Sequence, residues 1–105
     1  MKKFLLILCT LPALLLGQRA HAELVHIHGV VPTGWLVQNY VPGSVVLWYT
    51  GSSCAGGSLI LPPHATPADH ARLYATIMSA KISGAKIFIY YDRADGCKIA
   101  SFGFV

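Results

Sequence analysis

Acidic side chains are scarce in this chain: 4 Asp and Glu stand against 8 Lys and Arg in 105 residues. No two acids share a face at a readable spacing, so a carboxylate pair for general acid–base chemistry has no candidate. Cysteine is scarce too, three in all, and no Cys-x-x-Cys occurs, which removes the common thiol redox and zinc spacings. Ser52 and Ser53 sit in Gly51-Ser52-Ser53-Cys54-Ala55. That stretch lacks the second glycine of a nucleophile elbow and does not join a strand to a helix. Nor is there an apolar run of the roughly 20 residues that a bilayer span needs. These absences argue against an enzyme, and no catalytic residue is assigned.

The clearest positive signal lies at the start. Lys2 and Lys3 precede an uncharged apolar stretch, Phe4 to Leu16, and Gly17, Gln18 and Arg19 end it. Ala20-His21-Ala22 then supplies the small-x-small pattern of a signal-peptidase site. Residues 1–22 are expected to be a cleaved signal peptide, and residues 23–105 a single exported domain, secreted or periplasmic. Cys9, inside the apolar stretch and preceded by the bulky Leu8, does not suit a lipoprotein.

Removing the signal takes away Lys2, Lys3 and Arg19. What remains is Lys81, Lys86, Lys98, Arg72 and Arg93 against Glu23, Asp69, Asp92 and Asp95, so the mature domain is nearly neutral. Scattered bases in a neutral domain make a poor polyphosphate binder, and nucleic acid is set aside. At about 80 residues a hydrophobic core alone is marginal and a staple is common. Cys54 and Cys97 remain after cleavage, and an oxidising compartment pairs them.

Hydrophobic periodicity gives the elements. Glu23 to Val31 alternates as a strand, with Leu24, His26, His28 and Val30 on one face and Val25, Ile27 and Val31 on the other. Strands are also expected over Trp35–Val41 and Val45–Thr50, with a short one over Ser58–Leu61. Thr66-Pro67-Ala68-Asp69 carries an N-cap threonine, a proline at the first helical position and an acid at the third. It predicts a helix over 67–82, with Leu73, Ile77 and Ala80 as an apolar stripe and Tyr74 and Met78 beside it. Gly84 suits the C-terminal cap. Lys86–Asp92 and Cys97–Val105 read as a terminal hairpin around Arg93-Ala94-Asp95-Gly96. The order β-β-β-(β)-α-β-β suggests an α+β domain, mainly β with one helix, built as a small barrel of the OB type. A plain α+β roll is the rival.

His26 and His28 leave the same face of the first strand, and His64 and His70 lie before and early in the helix. Without a confirming ligand spacing no metal is assigned, and no cofactor. On any strand, neighbours point to opposite faces. One of Trp48 and Tyr49, and one of Tyr90 and Tyr91, is therefore expected to face outward, where an aromatic ring with a polar tip suits a sugar or a protein surface.

Leu73-Tyr74, Ser83-Gly84 and Ile87-Phe88-Ile89-Tyr90-Tyr91-Asp92 together resemble the helix-to-strand region of the subtilase cytotoxin B subunit family. The resemblance covers about 20 residues closely and the rest only in element order. It implies an OB-type fold, a homopentamer with its helices lining a central pore, a partner in the form of an exported enzymatic A subunit, and binding of host-cell glycans or glycoproteins. Residue by residue it transfers one sugar contact, Tyr91. The family's serine and acid contacts find no match over Glu23–Gly29. Its cysteine pairing, before the helix, differs from Cys54 and Cys97. The alternative function is a standalone secreted or periplasmic interaction or inhibitor domain with no sugar site.

Overall fold

The computed structural model describes residues 22–105. The expected signal segment falls outside the described residues up to His21. Six strands and one helix follow in the order β1 (Leu24–Val30), β2 (Leu36–Tyr40), β3 (Ser44–Trp48), β4 (Ser58–Ile60), α1 (Pro67–Ser83), β5 (Ile87–Asp92) and β6 (Lys98–Phe104). They form one sheet in the spatial order β1-β5-β6-β4-β3-β2. All neighbours are antiparallel except β4 and β6, which meet in parallel at Ile60 and Lys98. The result is an α+β domain, mainly β, in the element order that periodicity predicts.

The helix begins where its cap directs. Thr66 Oγ1 accepts from the Asp69 amide at 3.2 Å, and Asp69 Oδ2 accepts from the Thr66 amide at 2.8 Å. This reciprocal pair satisfies two backbone donors that a helix start otherwise leaves unpaired. Pro67 follows at the first helical position, and Gly84 closes the far end in the left-handed conformation. Lys81, in the last turn, donates to the carbonyls of Thr33 and Trp35 and ties that end to the loop before β2.

Leu73, Ile77 and Ala80 are fully buried and join Leu47, Leu59, Ile87, Ile89 and Ile99 in a single core on one face of the sheet. Each large aliphatic side chain buried in this way contributes about 1.5–3 kcal/mol. Tyr74, expected beside the stripe, is 38 % exposed and stands off the core. The disulfide between Cys54 and Cys97 is formed, with a Cα–Cα distance of 6.1 Å. It joins the loop after β3 to the start of β6.

Two bulges decide which side chains reach the core. In β1 the register shifts between His28 and Val30, at Gly29, whose φ of 69° favours glycine. His26 and His28 stay on the exposed face, but Val30 crosses over and packs against the core. A strict alternation places Val30 with the histidines, and the extra residue is the reason it is not there. In β6 the shift falls at Ala100, so Ile99 lies opposite Tyr91 and Ser101 opposite Tyr90.

Candidate functional site

On β5 the two tyrosines part company. Tyr91 is 1 % exposed. Its hydroxyl lies 2.9 Å from Ser53 Oγ and accepts from the Ser53 amide at 3.2 Å. Ile87 and Ile89 share its inward face, and its cross-strand neighbours Val25 and Ile99 point the same way. Tyr91 therefore belongs to the core, with no stacking face for a sugar, although it is the residue the family resemblance singles out. The Tyr91 hydroxyl holds the loop that carries Cys54.

Tyr90 is the outward tyrosine. It pairs across the sheet with His26 on β1, and the two rings lie parallel, 4.1 Å apart with 1° between planes. Phe88, on the same face, meets His26 and Tyr90 edge-on at 6.5 and 6.1 Å. His28 lies opposite Phe88, and its Nδ1 is 3.3 Å from His26 Nε2. Four rings from two strands thus form one cluster on the face of the sheet opposite the helix.

The neighbouring strand is shaped to leave that cluster open. Opposite Tyr90 and Phe88, β6 presents only Ser101 and Gly103. A Cβ on Gly103 would come within 2.9 Å of the Phe88 ring, so any larger residue there makes that ring shift. One face of Tyr90 is covered by His26. On the other side stands Ser101, exposed, with a hydroxyl and little bulk. The surface therefore offers a flat aromatic face, two imidazoles and a hydroxyl within one small area. That combination can stack on an apolar ring face and hydrogen-bond its rim.

A second aromatic group lies farther along the sheet. Trp48 takes the outward position on β3 and donates through Nε1 to Gln38 Oε1 at 2.9 Å. Tyr49 turns in and stacks on the buried Trp35 at 4.5 Å. The expectation that one of each adjacent aromatic pair faces outward thus holds for both pairs. Between the β2–β3 turn and the start of α1 lies a groove of about 390 Å³ lined by Pro42, Ile60, Pro62, Pro67 and His70 among others. The His70 Nδ1 there is already engaged, accepting from the Val45 amide at 3.0 Å.

Several other polar residues serve the fold. Asp92 accepts from the Ala94 amide and the Glu23 amide, both at 3.0 Å, as an acid beside a turn should. Arg93 donates twice to one oxygen of Glu23, at 2.9 and 3.1 Å. His64 is exposed before the helix. His70 serves β3, and neither joins His26 and His28. Among the described residues no group of three or more metal-ligating side chains occurs, and no helix is long and apolar enough to cross a membrane.

The outward choice of Tyr90 had a faint trace in the sequence. Ile87 and Ile89 alternate with Phe88 and Tyr90, and the aliphatic set is the more core-like of the two. Ser101 had no such trace, because the bulge at Ala100 sets its position. No protein-family model matches this chain, and neither a curated protein nor a solved structure matches it.

Proposed function

We propose that this chain is a secreted glycan-binding domain of the toxin B subunit type, which receives a sugar ring on the free face of Tyr90. The observation that carries the reading is the His26–Tyr90 stack, presented outward beside the small residues Ser101 and Gly103. Tyr90 is half-buried, and an aromatic held rigid by a stacked neighbour loses little freedom when a ligand covers its free face. An OB-type architecture is consistent with three features: the strand order, the parallel β4–β6 contact and a helix inserted between β4 and β5. Export fits the formed disulfide.

The family resemblance further implies a homopentamer whose helices face a pore, partnered by an exported enzymatic subunit. Arg72 and Ser79 are exposed and Thr76 is half-buried on α1, away from the Leu73, Ile77 and Ala80 stripe, so they supply the polar lining that such a pore needs. Light scattering on the purified mature domain is expected to show a closed ring; a monomer at micromolar concentration contradicts the assembly.

A glycan array with the wild type and Tyr90→Ala tests the function. Specific hits that vanish in the variant support it, and an array without hits refutes it. The second reading, an interaction or inhibitor domain, draws on a different observation: Leu36 and Tyr40 on edge strand β2 are 59 and 48 % exposed, and Val41 beyond it 96 %. An unpaired strand edge with exposed apolar residues is a place for another chain to add.

A further inference from the structure

The geometry points to His26 and His28 as an open two-histidine site for a late divalent transition ion such as zinc. His26 Nε2 and His28 Nδ1 are 3.3 Å apart. A tetrahedral zinc with Zn–N bonds of about 2.0–2.1 Å holds two of its ligand nitrogens about 3.3–3.4 Å apart. The spacing of the free side chains is therefore already that of a coordinated pair. Both rings rise from one face of β1 because they are two residues apart on a strand.

The site is also held in place. His26 is pinned by its stack on Tyr90 and by the edge of Phe88. The bulge at Gly29 shifts the register immediately after His28, and bulges of this kind re-aim the side chains beside them. β1 is an edge strand and both histidines are exposed, so an ion reaches them from solvent.

Each ring can offer the lone pair of its inner nitrogen to the ion while its N–H sits on the outer nitrogen, so the pair binds as two neutral imidazoles. Acid protonates imidazole and competes with the ion. Two nitrogen ligands select zinc, nickel or copper(II) over calcium and magnesium, which require oxygen. The positions that the two histidines do not fill remain for water or an external ligand, because no third metal-ligating side chain joins the pair among the described residues.

The test is a zinc titration of the mature, oxidised domain, followed through the assigned imidazole resonances in NMR. The His26 and His28 signals should move together and saturate at one zinc per chain, while His64 and His70 stay still. Calcium should move none of them. His28→Asn should weaken zinc binding about tenfold or more, since loss of a direct ligand costs at least as much as loss of an outer-sphere partner. His26→Asn, which leaves the rest of β1 intact, is the independent second variant. Unchanged tryptophan fluorescence certifies both folds. The site is refuted if zinc up to millimolar concentration leaves both resonances in place, if calcium moves them equally, or if both variants bind zinc as the wild type does. No sugar enters the experiment, so its outcome is separate from that of the glycan reading.

Discussion

Tyr90 and Tyr91 are neighbours with the same side chain and opposite roles. The Tyr91 hydroxyl engages Ser53 beneath the disulfide loop, so Tyr91→Phe removes a half-buried hydrogen bond. A loss of about 0.5–1.5 kcal/mol in stability is expected, read from urea unfolding. Tyr91→Ala leaves a cavity as well and should cost about 3–5 kcal/mol. If Tyr91→Phe unfolds at the wild-type midpoint, the hydroxyl does not support the loop. Strand periodicity established that one of the pair faces out. It did not establish which, since both faces of β5 are apolar. Burial of Ile87, Ile89 and Tyr91 in the common core makes that choice, through residues distant in sequence, and the aliphatic Ile87 and Ile89 mark it only faintly. Likewise His26 and His28 were legible as sharing a face, but their clustering with Tyr90 and Phe88 depends on β1 pairing with β5 across most of the chain.

Among the elements, α1 was the most legible because its signals are local. Cap, proline, stripe and terminal glycine lie within Thr66–Gly84 and each acts on its immediate neighbours. Thr66→Ala should lower stability by about 1 kcal/mol, seen as a shift in the urea midpoint at unchanged slope; an unchanged midpoint contradicts the cap. The Asp69 carboxyl is held below its ordinary value near 3.8, first by the hydrogen bond from the Thr66 backbone, then by the Thr66 side chain, with Arg72 adding a smaller pull. A carboxyl whose pKa is depressed on folding stabilises the protein above its unfolded pKa. That contribution is lost as the pH falls through the folded value. In acid titrations the wild type should therefore lose stability below about pH 4 more steeply than Asp69→Asn, and parallel curves would contradict this. The strands were less legible at their ends. The bulges at Gly29 and Ala100 move Val30 inward and set Ser101 beside Tyr90; Gly29 marks the first in the sequence, while nothing at Ala100 marks the second.

At the scale of the whole molecule, the bridge between Cys54 and Cys97 ties two parts of the sheet that are 43 residues apart in sequence. Cys97→Ala should cost about 2–5 kcal/mol, typical for a small exported domain, measured as the drop in unfolding free energy; a stability equal to the wild type would show the core to be sufficient alone. Cysteine count, with the oxidising compartment expected from the N-terminal segment, made this pairing legible in advance. The strand order was legible only in outline, because the β4–β6 contact rests on a single residue pair. Above the fold stands the claim that the outer face of this sheet recognises a sugar. Calorimetric titration of the best array glycan into wild type, Tyr90→Ala and Tyr91→Phe tests that claim most directly. Tyr90→Ala should stay folded and lose about tenfold or more in affinity through loss of the stacking face. Tyr91→Phe should bind as the wild type does and be less stable. Wild-type affinity in Tyr90→Ala, or weakened binding in Tyr91→Phe alone, would contradict it.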